Sequence, residues 1–198
     1  MIINIILISV MALIIIIDQA SKLIVSNFME LGQEIEIIEG FFRLKYITNP
    51  GMSFSLFDGE GQRWVFMVIS PIALIAIAVY LFAFSKDKLP MKLGLSFIFA
   101  GGLSNMIDRI FYGEQLFKGE VIDMFDFYGI WNAIFNVADS FVCIGAALTI
   151  CTLLYDIITE SKKKKSEENP KDKDEENEED DEEDKDDEDE DRDEDETI

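Results

Sequence analysis

Two aspartates beside apolar segments have the residue type and position that suit catalysis. Asp123 lies in VIDMFDF (121–127), and Asp139 lies in FNVADS (135–140), where a long apolar run begins. A carboxylate at the edge of a membrane helix is costly, so it usually faces a polar cavity and marks a working site. Two carboxylates brought together in a low-dielectric setting share one proton, and one then acts as base towards water while the other acts as acid.

The composition excludes most other catalytic arrangements. The 198 residues include no histidine, so a Ser/His/Asp triad, a Cys/His pair and a His-ligated metal are all impossible. No cofactor, metal or nucleic-acid partner is expected. Cys143 and Cys151 are eight residues apart in one apolar run, about 12 Å along a helix, so they cannot bridge each other. Both are interpreted as small buried hydrophobic residues.

The negative charge is concentrated at one end of the chain. The net charge is −22, and residues 166–198 hold 23 acidic and 4 basic side chains. We therefore expect an apolar body over residues 1–160 and a basic, then acidic, disordered tail over 161–198. A solvated appendage is the favoured interpretation of the tail, and attraction of basic partners or cations is the alternative.

The predicted fold is a mainly α-helical membrane protein with four transmembrane helices, at about 2–26, 64–84, 91–111 and 133–158. The first is interpreted as a retained anchor, because a basic n-region and an A-x-A site, both typical of a cleaved signal peptide, are missing. Alternating apolar and polar residues at about 34–57 predict a small antiparallel sheet outside the hydrocarbon. Residues 113–132, rich in aromatic side chains, predict an amphipathic interfacial link.

Lysines orient the predicted helices. The link near Lys88 and the run Lys162–Lys165 belong in the cytoplasm by the positive-inside rule, so both termini are expected there. The polar side chains then gather at the opposite, outer leaflet: Asp18, Lys22, Asn105, Asp108, Arg109, Asn136 and the two aspartates.

Several of these polar positions have a plainer interpretation. Asp18 and Lys22, four residues apart, form either a mutual salt bridge or a fixed polar group that points at a site. Asp108 and Arg109 either line a polar pocket, which is favoured, or reach lipid headgroups. Asn49-Pro50-Gly51 is more often a plain turn than a site.

Five short blocks resemble, in order and spacing, those of lipoprotein signal peptidases, the signal peptidase II family. They are DQASK (18–22), NPGMSF (49–54), GGLSNMIDR (101–109), VIDMFDF (121–127) and FNVADS (135–140). The resemblance implies an intramembrane aspartic peptidase of the bacterial inner membrane, expected here as a monomer in contact with membrane lipid. Its substrates are diacylglyceryl-modified prolipoproteins, which it cuts just before the lipidated cysteine.

The resemblance also implies roles for individual residues. It makes Asp123 and Asp139 the catalytic pair and leaves Asp126 as a neighbour. Substrate-binding or supporting roles fall on Asp18, Lys22, Asn49, Gly51, Asn105, Asp108, Arg109 and Asn136. Met52 departs from the alanine usual in the family block, which leaves the shape of that loop open.

Two other classes of protein compete with a peptidase. A proton- or ion-coupled carrier would use Asp18, Asp108, Asp123 and Asp139 as a relay. Such a relay needs acids at several depths, whereas these are predicted to gather on one side. A purely structural scaffold leaves that convergence unexplained.

Overall fold

The structure is a computed structural model. It describes residues 2–50, 60–83, 88–113, 115–131 and 133–168. The chain divides into two compact units, Met1–Thr152 and Leu153–Ile198. The elements in chain order are α1 (Ile2–Phe28), β1 (Glu34–Ile38), β2 (Phe42–Asn49), α2 (Glu60–Ala83), α3 (Leu89–Phe111), β3 (Val121–Asp126), β4 (Ile134–Phe135) and α4 (Val137–Glu168). The expectation of a mainly helical chain with a small antiparallel sheet is confirmed.

Helix α1 buries one stripe of side chains and exposes the rest of its apolar surface. Apolar side chains on its outer side, such as Ile16 at 63% exposure, face outwards. A helix that is apolar outside and carries charges inside is the reverse of a soluble amphipathic helix, and it suits hydrocarbon surroundings. The buried positions follow each other at intervals of three or four residues, as one helical face requires: Leu7, Met11, Ile14, Asp18, Lys22 and Val25.

Two of the described helices are long and apolar enough to cross a membrane, Ile2–Phe28 and the Val137–Lys165 part of α4. The described apolar stretch of α2, Met67–Ala83, is shorter. Helix α3 contains Lys92, Asp108 and Arg109. The expected total of four spans therefore stays a prediction.

Helices α3 and α4 approach each other closely at glycines. A side chain at Gly101 would collide with the backbone carbonyl of Ala138, and one at Gly145 would collide with that of Gly94. Gly102 faces Leu74 of α2 instead. Gly101 and Gly102 therefore both admit neighbouring helices, and the start of α4 is held directly against α3.

The sheet has the order β1-β2-β3-β4, and every neighbouring pair is antiparallel. Gly40, with φ of 71°, makes the turn between β1 and β2. In the register of β2 with β3, Asn49 lies opposite Val121, and Ile47 lies opposite Asp123. Val25 of α1 and Met29, which follows the end of that helix, pack with Tyr46, Ile122 and Met124 of the sheet.

The predicted interfacial link is wrong over residues 121–126, because they form strand β3 in the middle of the sheet. This strand is buried at five of its six positions, so it lacks the alternation of polar and apolar residues by which an exposed strand is recognised. The sheet predicted at 34–57 is present at 34–38 and 42–49, and residues 51–57 lie outside the described ranges.

Three further differences concern the end of the chain. Residues 134–135, predicted as the start of the fourth membrane helix, form β4, and α4 begins at Val137. Helix α4 continues to Glu168, so the first eight residues of the predicted tail are helical. Cys143 and Cys151 are free, as expected, but both are exposed rather than buried, because they lie on the outer side of α4.

Candidate active site

The site is built around a buried lysine on α1. The Nζ of Lys22 lies 2.6 Å from an oxygen of Asp18, one turn earlier, and 2.6 Å from an oxygen of Asp108 on α3. It also donates a 2.9 Å hydrogen bond to Oδ1 of Asn105. Asp18 is 0% exposed and Lys22 is 2% exposed, so each charge depends on these partners for stability. The predicted salt bridge between Asp18 and Lys22 is confirmed, and this ion pair is part of a larger polar network.

Asp18 joins α1 to the beginning of α4. One of its carboxylate oxygens accepts a 2.7 Å hydrogen bond from the hydroxyl of Ser104, and the other accepts a 2.8 Å bond from the backbone N–H of Ala138. Ala138 is the second residue of α4, where backbone N–H groups have no partner within the helix. A carboxylate from another helix therefore caps α4 and fixes where it starts.

Asn136 and Asp139 cap the same helix end through hydrogen bonds to each other. The side-chain oxygen of Asn136 accepts a 2.9 Å bond from the N–H of Asp139, and the Asp139 carboxylate lies 3.3 Å from the N–H of Asn136. This reciprocal arrangement is a capping box with aspartate in the usual position of glutamate. It orients the Asp139 carboxylate at the positive end of the α4 dipole, where negative charge is favoured.

Asp123 reaches the network from the sheet. Its Oδ1 accepts a 2.8 Å hydrogen bond from the amide of Asn136, and its Oδ2 accepts a 3.0 Å bond from the amide of Asn49. Asn49 lies opposite Val121, two residues before Asp123, so the strand register places both side chains on one face of the sheet.

Asn105 and Asn136 connect the two aspartates. Asn136 donates to Asp123 through its side chain and to Asp139 through its backbone N–H. Asn105 donates a 2.8 Å bond to Oδ1 of Asp139, while its own oxygen accepts from Lys22 and from Asn136. The two carboxylates are therefore held in one network by neutral amides, with one buried cation behind them.

Asp123, on a strand outside the helices, is poorly solvated. Burial raises its pKa to about 7, against the opposing effect of the hydrogen bond from Asn49; the negative charge of Asp139 raises the pKa further, and the bond from Asn136 lowers it. An aspartate with this pKa carries a proton over much of the neutral range, as a general acid must.

The other predicted residues fall into three groups. Arg109, on α3, lies within electrostatic range of Asp139, Asp108 and Asp123. Asp126, three residues after Asp123, lies on the opposite face of β3 and is 2.7 Å from Nε of Arg43, outside the network. Gly51 lies outside the described residues, as does Met52.

Two residues of the network were not singled out from the sequence. The Gln19 amide donates a 2.7 Å bond to Asp108, and the Ser104 hydroxyl donates to Asp18. Gln19 also donates to Ser104 itself, at 3.1 Å. Both stand inside blocks that were recognised, DQASK and GGLSNMIDR, but neutral polar residues give no charge pattern that would distinguish them.

The family described as Signal peptidase (SPase) II matches residues 10–155. The chain belongs to the signal peptidase II family. Its members are peptidases, so this protein is a hydrolase; the family is one of bacterial inner-membrane enzymes.

Individual relatives cover most of the chain. A lipoprotein signal peptidase of Fusobacterium nucleatum is 41% identical over 142 residues, which are 70% of this chain and 79% of that protein. A lipoprotein signal peptidase of Geobacter metallireducens is 36% identical over 157 residues, 77% of this chain and 93% of the relative.

Two solved structures have a similar fold, and both are described as bacterial membrane enzymes. One, at 2.3 Å resolution, matches with a TM-score of 0.65 and 33% identity, covering 76% of this chain and 88% of the other. The second, at 1.9 Å resolution, matches with a TM-score of 0.64 and 34% identity, covering 76% and 93%.

Proposed function

We propose that the protein is an intramembrane aspartic endopeptidase that removes the signal peptide from diacylglyceryl-modified prolipoproteins, cutting just before the lipidated cysteine. The observation that carries this proposal is the pair Asp123 and Asp139, held in one hydrogen-bonded network by Asn136 and Asn105. The names of the relatives support lipoprotein signal peptides as the substrate class.

In the proposed reaction the two carboxylates share one proton. Asp139, at the positive end of a helix dipole, acts as the base and takes a proton from water, whose oxygen attacks the scissile carbonyl carbon. Asp123 donates its proton to the carbonyl oxygen, which gives a tetrahedral diol. Asp139 then protonates the leaving amide nitrogen, the C–N bond breaks, and Asp123 recovers its proton as the new carboxyl group forms.

The remaining polar residues hold this pair and the substrate in place. Asn105 and Asn136 position the dyad, and Asn49 positions Asp123 and binds substrate backbone together with Gly51. Arg109 supplies positive charge beside Asp139. Lys22 pairs with Asp18 and Asp108. Together these three residues hold Asn105 and the start of α4 in position. No metal takes part in the proposed mechanism.

The substrate requires the site to lie at the membrane surface. In this proposal four helices span the bacterial inner membrane, both termini are cytoplasmic and the dyad lies near the outer leaflet. A cysteine with two acyl chains can then present its peptide bond without leaving the bilayer. The protein acts as a monomer surrounded by membrane lipid.

The test is cleavage of a lipid-modified precursor by purified protein in proteoliposomes with a metal chelator present. Asp123→Asn and Asp139→Asn are each expected to reduce the rate by several orders of magnitude, because each removes an ionisable group that transfers a proton. Asp126→Asn is the matched control, since Asp126 belongs to the same strand but pairs with Arg43 on the other face.

Normal processing by either dyad variant would disprove the assignment. Loss of activity in chelator would indicate a metal-dependent reaction instead. The same liposomes can also be tested for proton or ion transport without precursor. Transport that is lost on the same substitutions would favour a proton- or ion-coupled carrier.

A further inference from the structure

Two cavities adjoin at the turn that follows α3. The first is an apolar groove of about 390 Å³ between α2 and α3, and the second is a polar cavity of about 790 Å³ beside the sheet. None of the described residues that line them belongs to the aspartate network. The groove is lined by Met67, Pro71, Leu74, Ile75, Ala78, Phe99, Leu103, Met106, Ile110 and Phe117, and the polar cavity by Thr48, Phe111, Tyr112, Gly113, Gln115, Lys118 and Glu120.

The two cavities share one wall. Ile110 and Phe117 line the groove, while the residues that follow each of them, Phe111 and Lys118, line the polar cavity. The turn is closed by a 3.0 Å hydrogen bond from the N–H of Phe117 to the carbonyl of Ile110. Phe117 has φ of 65°, a conformation that a bulky residue rarely adopts, so the turn holds its ring in place at a conformational cost.

One side chain that lines the polar cavity, that of Lys118, carries a positive charge without an ion-pair partner among the described residues. Lys22, Arg43 and Lys45 each lie within ion-pair distance of a carboxylate. Lys118 forms no such pair with any acid in the described part of the chain. Tyr112, Thr48 and Gln115 add hydrogen-bonding groups at the same cavity, and Glu120 is its acidic member.

We propose that these cavities together bind one membrane phospholipid, with an acyl chain in the groove and the phosphate at Lys118. The apolar groove between membrane helices suits a hydrocarbon chain, and the adjoining cation suits a phosphate. The proposal requires only that α2 and α3 lie in a bilayer, so it does not depend on the peptidase mechanism.

The test measures lipid binding by native mass spectrometry of the full-length protein in detergent. Phosphatidylglycerol provides both chain and phosphate, diacylglycerol provides chains alone, and glycerol phosphate provides the phosphate alone. We expect phosphatidylglycerol to bind more tightly than either fragment. Lys118→Ala should weaken phosphatidylglycerol binding about fivefold and leave diacylglycerol binding unchanged. Ala78→Trp, which fills the groove, should weaken the binding of both lipids.

Matched substitutions outside the cavities are the controls. Lys45→Ala removes a cation that already pairs with Glu34, and Ala73→Trp adds a large ring to the exposed side of α2. Neither should change phospholipid binding. Equal affinities for phosphatidylglycerol and diacylglycerol, or equal effects of the cavity and control substitutions, would overturn the proposal.

Discussion

Lys22 shows how one buried charge can organise a polar network. Its ammonium group has two carboxylate partners and one amide partner, and these come from two helices. Removal of one member of such a set leaves the others buried without compensation, which costs far more than the net stabilisation from the set itself.

Lys22→Met is therefore expected to lower the free energy of unfolding by about 3–5 kcal/mol, since it leaves Asp18 and Asp108 buried without their cation. The measurement is equilibrium unfolding in detergent micelles, followed by circular dichroism. Lys45→Met is the matched control: Lys45 and Glu34 are partly exposed, so its loss should be much smaller. Equal losses in the two variants would contradict this account of Lys22.

The pH dependence of cleavage is expected to report on the proposed dyad. The pKa of Asp123 is raised to about 7, so its proton is present below that pH and lost above it. Because the proposed reaction needs that proton, kcat/KM should fall as the pH rises through about 7, with an apparent pKa that belongs to the coupled pair.

Asn49→Ala should move this alkaline limb to higher pH, because the Asn49 amide stabilises the ionised form of Asp123. The pH profile of kcat/KM in proteoliposomes measures the shift. Thr48→Ala is the control, since Thr48 belongs to the same strand and lies on the other face. A limb that moves to lower pH in Asn49→Ala would contradict the proposed contact.

Among the elements, strand β3 determines which aspartate enters the site. Side chains alternate along a strand, so Asp123 and Asp126, an odd number of residues apart, lie on opposite faces. On a helix or an irregular link the same two residues would be near neighbours. The resemblance of VIDMFDF to the family block favoured Asp123 over Asp126. The sequence did not show that the two side chains lie on opposite faces of a strand, because VIDMFD is buried on both faces and lacks strand alternation.

The helices were easier to predict than the sheet. Long apolar runs gave α1, α2 and α3 within four residues of their observed ends, because length and apolarity can be read directly from the sequence. The start of α4 was harder to predict from the sequence, because Asn136 caps the helix through contacts with Asp139 and Asp123 that only the fold creates. Neutral partners such as Ser104 were missed because they add no charge to the sequence pattern.

The contact between α3 and α4 is expected to control activity through Gly101. Gly101→Ala would push the Ala138 carbonyl away and displace Asp139, the next residue, from its position. A displacement of about 1 Å at a reacting group can reduce a rate on the order of 100-fold, so kcat should fall by roughly that amount. Cleavage assays with a lipid-modified precursor measure the loss.

Gly102→Ala is the matched control for that prediction. Its added methyl group would meet the end of the Leu74 side chain at 3.0 Å, and a leucine methyl can shift where a backbone carbonyl cannot. We expect kcat close to that of the unchanged protein. Similar losses in the two variants would rule out displacement of Asp139 as the cause.

At the scale of the whole molecule, the chain joins an apolar body to a strongly acidic end. The body supplies every described residue of the aspartate network, and residues 166–198 contain 23 of the acidic side chains. Composition predicts this division, because a segment with almost no apolar residues cannot bury a core. Composition gave less information about the boundary, since lysine-rich residues continue α4.

Truncation after Lys165 is expected to leave cleavage activity and the amount of protein in the membrane unchanged. The basic residues Lys162–Lys165 remain, so the signal that orients α4 is kept. Quantitative immunoblotting and precursor cleavage in membranes measure the two quantities. A marked fall in either one would assign a required role to the acidic tail.

The two exposed cysteines of α4 offer a means of spectroscopy on the unmodified chain. Cys143 and Cys151 are the two thiols of the whole sequence, and both are free. They lie about 12 Å apart along the helix axis. Nitroxide labels on both would report immersion depth through their accessibility to oxygen and to a water-soluble relaxation agent, and the difference between the two depths would give the tilt of α4.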